Sequence, residues 1–344
     1  MSRPFRLLLI ADTHYDPTRE VADDAPNRHV GLGCELARRA IEDARNRGGF
    51  DAVALLGDVV DQGIEPGAAA ATAEIFAEIA SASDGAPLLA VPGNHDYDGD
   101  DLPGAVDWNF GLRELGGYRF VCFADTYVDA KYGRRSDADR RFLRELARRD
   151  GGPIIAVQHN PCYPLIEADY PYMLTNHDEV ISDYAQVGVM LSISGHYHAG
   201  QELNRHGGVL YYTAPAISEP PFAYAMVELR GTDVSIERRP LVLDGSPPLV
   251  DCHAHTEFAY CSRGLTATEL LRRSRLFGLA GQCLVEHAGQ LYVAEEDFWA
   301  GRTVREPQLG RSAPQRRMDG FRAAMDKLRG GGVRSGREVD LDRA

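Results

Sequence analysis

The sequence predicts a layered α/β protein with a smaller second region at its C-terminal end. Two observations predict this fold class: short apolar runs bounded by polar turns recur along the chain, and helical stretches lie between them. A third observation predicts the number of domains: the length of 344 residues exceeds the usual size of one domain. We therefore expect one large α/β domain followed by a smaller one.

The first half of the large domain alternates strictly between strand and helix. Phe5–Ala11 is an unbroken apolar run and is predicted to be a buried strand. Cys34–Arg47 is amphipathic and is predicted to be a helix, which two following glycines end. Phe50–Leu56 is the next predicted strand. Ala68–Ala82 is rich in alanine and glutamate and is predicted to be a helix that precedes the strand Pro87–Val91.

The second half of the domain continues the pattern and then becomes all strand. A basic helix is predicted over Asp137–Arg149, among strands at Tyr118–Ala124, Ile154–Gln158 and Val189–Ser194. Three later segments have strand character and are predicted to complete the domain near residue 240: Tyr211–Thr213, Phe222–Leu229 and Asp233–Arg238.

Five short polar motifs follow directly after predicted strands. They are Asp12-x-His14, Gly57-Asp58-x-x-Asp61, Gly93-Asn94-His95-Asp96, the isolated His159, and Gly195-His196-x-His198. The carboxyl ends of neighbouring strands open onto a shared crevice, so these residues can converge although they are distant in sequence. Any one motif is more often a turn or a cap. Together they supply oxygen and imidazole ligands for two adjacent metal ions, which can activate water against a phosphate ester.

These motifs, in this order, resemble the consensus of the calcineurin-like metallophosphoesterases, and the resemblance covers about residues 1–240. It implies a four-layer α/β/β/α sandwich and a metal-dependent phosphoric ester hydrolase. It also implies a small phosphorylated substrate and two divalent or trivalent metal ions, such as Mn, Fe or Zn. Imidazole and oxygen donors suit these ions, and the absence of thiolate ligands gives no preference for zinc.

Carried over residue by residue, the resemblance divides the ligands into two sets. Asp12, His14 and His198 would bind one metal ion, and the set of the other ion would be Asn94, His159 and His196. Asp58 would bridge the two ions, because a carboxylate has two oxygens and can span cations about 3.5 to 4 Å apart.

The same resemblance assigns two catalytic residues. A hydroxide between the metals would attack phosphorus, and His95 would protonate the leaving oxygen as general acid. Asp61 resembles the carboxylate that orients this histidine and fixes its tautomer. Asp96 is expected to support the same loop.

The substrate is predicted to be a small phosphodiester or phosphomonoester, with a nucleotide among the candidates. The protein phosphatase branch of the family has a phosphate-binding arginine after Gly-Asp-x-x-Asp, whereas this chain has Gln62. A metal-dependent nuclease is the alternative, although a net charge of -14 opposes nucleic acid as a partner. A non-catalytic scaffold that binds metal and nucleotide is the alternative of another class.

Other features predict the environment of the protein. Six cysteines without Cys-x-x-Cys spacing indicate reduced thiols rather than a disulfide framework. The first apolar run is too short for a signal peptide, and no stretch reaches the length of a membrane span. We therefore predict a cytoplasmic protein without a membrane partner.

A loop containing Tyr163, Tyr170 and Tyr172 could cap the substrate, but a packed loop is the simpler interpretation.

The C-terminal region resembles part of a second family, the PHP phosphoesterases. Residues 1–243 would form the first domain, 244–249 a linker containing Gly245-Ser-Pro-Pro248, and 250–344 a partial PHP-like segment. Its motifs include Asp251-x-His253-x-His255 after a short strand, a helix at Ala267–Leu279, and Glu286-His287. By resemblance, its candidate ligands are His253, His255, His287 and Glu338. Because the later motifs are missing, we predict a truncated, non-catalytic appendage whose apolar faces could mediate oligomerisation.

Overall fold

The computed structural model of the protein describes residues 3–99, 101–102, 106–241, 243, 250–259, 262, 264–276, 279, 281–286 and 319–326. Its strands are β1 Phe5–Ile10, β2 Ala52–Leu56, β3 Leu88–Val91, β4 Gly111–Leu115, β5 Tyr118–Cys122, β6 Thr126–Val128, β7 Tyr132–Arg134, β8 Ile154–Val157, β9 Val189–Ser194, β10 Gln201–His206, β11 Val209–Thr213, β12 Ala223–Arg230, β13 Asp233–Pro240, β14 Val250–Ala254 and β15 Gly281–Leu284. Its α-helices are α1 Gly33–Asn46, α2 Ala68–Ala82, α3 Asp137–Leu146, α4 His177–Val187 and α5 Ala267–Leu276. The chain divides into two compact units, Met1–Asp244 and Gly245–Ala344.

Two mixed sheets form the first unit. One has the strand order β13-β12-β1-β2-β3, and the other has the order β10-β11-β9-β8-β5-β4. The strands β1, β2 and β3 are parallel to one another, as are β5, β8, β9 and β11. A parallel arrangement brings the carboxyl ends of successive strands to the same edge of a sheet.

Alternating side chains of the strands pack into separate cores. Leu7 and Leu9 of β1 belong to a core that joins the two sheets, together with Phe120 of β5 and Leu191 of β9. Leu8 of β1 faces the other way, into a second core that contains residues of α1 and α2. A third core packs α3 and α4 against the outer face of the second sheet. The order of layers is therefore helix, sheet, sheet, helix, which confirms the predicted four-layer α/β/β/α sandwich.

The predicted elements are present, and several that were not predicted join them. The helix at Ala68–Ala82 and the strand at Val189–Ser194 have the predicted bounds, whereas β2 begins two residues later than predicted. The unpredicted elements are β4, the β6–β7 hairpin, α4 and β10. The strand β10 reads Gln-Glu-Leu-Asn-Arg-His and has no apolar alternation, because it is an edge strand that pairs only with β11.

The described part of the second unit contains a βαβ segment. The strands β14 and β15 are parallel, α5 lies between them in sequence, and residues 319–326 are helical. Asp251 and His253 lie within β14 rather than after a strand, which corrects the prediction. The Nε2 atoms of His253 and His255 are 3.1 Å apart. His287 and Glu338 lie outside the described residues, as do the whole predicted 244–249 linker and residues 287–318 and 327–344.

Candidate metal centre

The five motifs converge where strand ends of both sheets meet. Asp12, Asp58 and Asn94 follow β1, β2 and β3 of the first sheet, whereas His159 and His196 follow β8 and β9 of the second. One candidate ligand set has its ligand atoms within 4.8 Å of one another: Asp12, His14, Asp58 and His198. The same holds for a second set formed by Asp58, His159 and His196. We call these residues together with Asn94 the metal cluster.

Four residues of the cluster have a strained backbone conformation. Asp12, His14, Asp58 and His196 all have positive φ, between 44° and 66°. This left-handed conformation costs about 1–3 kcal/mol for a residue other than glycine, and such strain is concentrated at functional sites. Gly93 permits the close approach of the loops, because a Cβ there would lie 2.2 Å from Asp58 Oδ1. The glycine of this motif is therefore a packing requirement of the cluster.

Asp58 lies at the centre of the cluster. Its Oδ2 atom is 3.2 Å from His159 Nε2 and 3.7 Å from His14 Nε2, and thus reaches one histidine of each ligand set. Its Oδ1 atom accepts a hydrogen bond from the backbone N–H of His95. Burial opposes ionisation, but the charges of His159 and His95 outweigh it and hold the pKa of Asp58 well below its usual range. The carboxylate is therefore negatively charged.

The second ligand set presents lone pairs to a common point. His159 Nδ1 donates to the carbonyl of Leu56, so a neutral His159 has its lone pair on Nε2, which lies 2.9 Å from His196 Nδ1. Burial lowers the pKa of His196 to about 4, and this imidazole is neutral. Burial also acts to lower the pKa of His159, but Asp58 overcomes it and raises this pKa to about 9. Without a cation, a proton on His159 compensates the charge of Asp58.

A metal cation fits this position in place of the proton. The Oδ1 atom of buried Asn94 has no hydrogen-bond partner among the described residues, while its amide nitrogen donates to the carbonyl of Ala130. A buried acceptor without a partner is costly, and a metal ligand bond removes the cost. The donors of the cluster are imidazole nitrogens and amide or carboxylate oxygens, which suit divalent transition metals.

The first ligand set has a partner that the sequence analysis missed. His14 Nε2 and His198 Nε2 are 3.2 Å apart, and His198 Nδ1 donates to Glu219 Oε1 at 2.6 Å. A carboxylate behind a histidine fixes its tautomer and orients its metal-binding nitrogen. The backbone N–H of His196 donates to both carboxylate oxygens of Asp12. Burial raises the pKa of Asp12 to about 6.

Glu219→Gln is expected to weaken metal binding by about 10- to 100-fold, because removal of such a carboxylate leaves His198 less basic and poorly oriented. Calorimetric titration of the metal-free protein with Mn²⁺ or Zn²⁺ measures this loss of affinity. Glu237→Gln is the matched control, since Glu237 is 61% exposed on β13. Equal affinities for the two variants would show that Glu219 does not support the cluster.

His95 and Asp61 lie beside the cluster, but their contact differs from the expected one. His95 Nδ1 donates to the backbone carbonyl of Asp61 at 2.5 Å, not to its carboxylate. The Asp61 carboxylate instead lies 3.5 Å from His14 Nδ1 and 3.2 Å from Arg28 Nη1. The proton on Nδ1 leaves His95 Nε2 as the nitrogen available for proton transfer. Asp96 supports the loop as expected, since its carboxylate accepts hydrogen bonds from the backbone N–H groups of Val59, Val60 and Gly93.

Two tyrosines of the predicted loop contact the cluster. The ring centroids of Tyr170 and Tyr172 lie 5.7 and 5.5 Å from that of His196. The third, Tyr163, instead stacks on His206 at 4.4 Å, away from the motifs. The side chain of Asn160 holds this loop by donating to the carbonyl of Tyr172. Two of the three tyrosines thus form one wall of the site.

The chain is similar to known proteins in sequence and in structure. A model of the calcineurin-like phosphoesterase family matches residues 5–200. A dimetal phosphatase from Danio rerio is similar in structure, with a TM-score of 0.55 and 19% sequence identity over 70% of this chain and 97% of that chain. GAP50, the anchor in the inner membrane complex of Plasmodium, has a TM-score of 0.44 and 12% identity over 83% of this chain and 99% of its own. No curated protein matches the chain. Within the described residues, every helix is too short or too polar to cross a bilayer.

Proposed function

Because the chain belongs to the calcineurin-like phosphoesterase family and is a metal-dependent phosphoester hydrolase, we propose that it cleaves a small phosphodiester or phosphomonoester at a centre of two metal ions. One observation carries the proposal: Asp58 Oδ2 lies within 3.2 to 3.9 Å of imidazole nitrogens from both ligand sets. A single carboxylate shared in this way is suited to bridging two cations. The position of Asp58 directly after β2, where the strand ends of both sheets meet, supports this role.

The ligands of the two ions follow from the two sets. Asp12, His14 and His198 would hold one ion, Asn94, His159 and His196 the other, and Asp58 would contact both. Bound metal ions would lower the pKa of a water molecule to near neutrality and polarise the phosphoryl oxygens. Mn, Fe and Zn ions match these donors.

The protein residues contribute proton transfer and orientation. In the form protonated on both ring nitrogens, His95 donates its Nε2 proton to the leaving oxygen as the phosphorus–oxygen bond breaks, and it keeps its Nδ1 proton on the carbonyl of Asp61. The backbone carbonyl of Asp61 and the Asp58 carboxylate hold this residue at its ring and its backbone N–H. A fixed ring removes the cost of orienting the acid during the reaction.

The wall formed by Tyr170 and Tyr172 favours a substrate with a planar group, such as a nucleotide. Aromatic side chains bind a base by stacking, and this interaction contributes about 1–3 kcal/mol per base. The net charge of -14 favours a small substrate over a nucleic acid, because a long polyanion is repelled by the surface as a whole.

A screen of metal-loaded protein tests this function. Metal-free protein is reconstituted with Mn²⁺, Fe²⁺, Zn²⁺, Ni²⁺ or Co²⁺ and assayed against phosphomonoesters, cyclic nucleotides, dinucleotides and phospholipid headgroup diesters. We expect metal-dependent release of phosphate or of a phosphomonoester from at least one class. If the protein binds metal and hydrolyses none of these compounds, the scaffold function replaces the enzymatic one.

For the second unit we propose a PHP-like segment without a catalytic role. The βαβ order of β14, α5 and β15 and the adjacent His253 and His255 support the likeness. Both histidines are partly or fully exposed, and so lack the enclosure of the metal cluster. The double variant His253→Ala/His255→Ala is expected to keep the activity and bound metal of the parent within about twofold, as surface substitutions usually do. A loss of one metal equivalent, measured by elemental analysis, would show a second metal site.

A further inference from the structure

An arginine from the loop between β1 and α1 lies beside the metal cluster. The Nη1 atom of Arg28 is 3.2 Å from Asp61 Oδ1, and its Nε atom is 3.8 Å from Glu219 Oε1. These two carboxylates also face His14 and His198, respectively. Arg28 therefore lies between the supports of two candidate metal ligands. Its side chain is 12% exposed, so the guanidinium is largely withdrawn from solvent.

Most of the guanidinium N–H groups of Arg28 have no hydrogen-bond partner among the residues that the structure describes. Among the described residues, the bond from Nη1 to Asp61 is the side-chain hydrogen bond that Arg28 makes, and its buried Nε has no hydrogen-bond partner. A guanidinium has five N–H donors arranged in a planar fork, and this fork matches two oxygens of a phosphate. A buried donor without a partner is costly. In the described part of the chain, Nη2 has neither a hydrogen bond nor an ion pair, and it is the nitrogen left for an oxyanion.

The loop that carries Arg28 is anchored to the rest of the domain. The backbone N–H of Arg28 donates to the carbonyl of Ala25, and its own carbonyl accepts from Ala22. The next residue, His29, donates its backbone N–H to the carbonyl of Ser218, close to Glu219. An arginine held in this way needs little reorganisation to bind an anion.

We propose that Arg28 binds the phosphate of the substrate through its guanidinium and supplies the contact that Gln62 cannot make. The inference rests on the proposed function, since it adds a substrate-binding residue to the same site. The arginine that follows Gly-Asp-x-x-Asp in the protein phosphatase branch comes from the loop after β2. In this chain the loop after β1 provides the arginine, and Asp61 and Glu219 orient it from behind.

Phosphate binding to metal-loaded protein tests the role of Arg28 without any need for turnover. Inorganic phosphate is titrated by calorimetry into the parent, Arg28→Gln and Arg28→Lys, each with its metal content measured. We expect Arg28→Gln to weaken phosphate binding by about 10- to 100-fold, the range for a hydrogen bond between charged groups. Arg28→Lys keeps the charge but not the fork, and an intermediate loss is expected. With an active substrate, KM is expected to rise more than kcat falls.

Arg205→Lys is the control, because Arg205 is exposed on β10 and its Nη1 donates to the backbone carbonyl of Gly208. We expect phosphate binding within about twofold of the parent. Equal phosphate affinity of the parent and Arg28→Gln would overturn the proposal, as would a loss of phosphate binding in step with a loss of metal. Absence of hydrolysis by the parent would instead overturn the proposed function and leave the phosphate titration valid.

Discussion

Replacing Asp58 by asparagine is expected to reduce hydrolysis by at least about 1,000-fold, equivalent to about 4 kcal/mol of transition-state stabilisation. Asparagine has nearly the same shape as aspartate but no negative charge. The Oδ2 atom of Asp58 lies close to imidazoles of both ligand sets, so one substitution weakens the binding of both ions. The other candidate ligands each belong to one set, and their substitution leaves the opposite set intact.

Two measurements test the Asp58 variant. Elemental analysis after dialysis gives bound metal per chain, and the rate is measured at saturating metal with the best substrate from the screen. The control is Asp233→Asn, which removes an exposed carboxylate on β13 and is expected to behave as the parent. Parental metal content together with a rate within about threefold of the parent would exclude a bridging role, since such a small change is only a fraction of a kcal/mol.

Replacing His95 is expected to lower kcat by about 100- to 10,000-fold, the usual contribution of a general acid. The loss depends on the leaving group. A poor leaving alkoxide needs the proton, whereas a nitrophenolate leaves readily without it, so a nitrophenyl ester is expected to show a much smaller loss. His95 is not assigned as a metal ligand, and the variants are expected to retain the metal of the parent.

Two variants at this position and a control elsewhere separate proton transfer from structure. His95→Ala removes the ring, whereas His95→Asn keeps a donor that can reach the carbonyl of Asp61 but cannot act as an acid. We expect both to be equally slow on alkyl esters. His206→Ala is the control, because this exposed histidine stacks only on Tyr163 among the described aromatic residues. His14, Asp61 and His95 also have ligand atoms within 4.8 Å of one another, so loss of metal in His95→Ala would identify His95 as a ligand instead.

Much of the fold could be predicted because its strands are short, apolar and buried on both faces. Residues 7–10 of β1 are all 0% exposed, and such an unbroken apolar run is the pattern of a central strand in a layered α/β protein. The edge strand β10 and the helix α4 lack this pattern. The strand β10 is mostly polar and forms because β11 provides its backbone partners, whereas α4 is held by two buried apolar side chains, Val180 and Tyr184.

The sequence also predicted which side chains would gather at the site, but not how they contact one another. Motifs that follow neighbouring parallel strands lie at the same edge of a sheet, so Asp12 and Asp58 could be placed together from their positions alone. The contact between His95 and Asp61 was different, because a motif gives the residue and not the atom. The backbone carbonyl of Asp61 is nearer to the ring than its carboxylate, which turns toward Arg28.

The sequence by itself determined the order of the buried apolar strands and of α1, α2 and α3 in the first unit, and the residue types of the metal cluster. These properties are local, since they depend on the spacing of apolar residues and on the position of a motif relative to a strand end. Only the tertiary structure decided that Glu219 supports His198 and that Arg28 faces the cluster. Neither residue lies in a motif, and each reaches the site because long-range packing brings separate loops together.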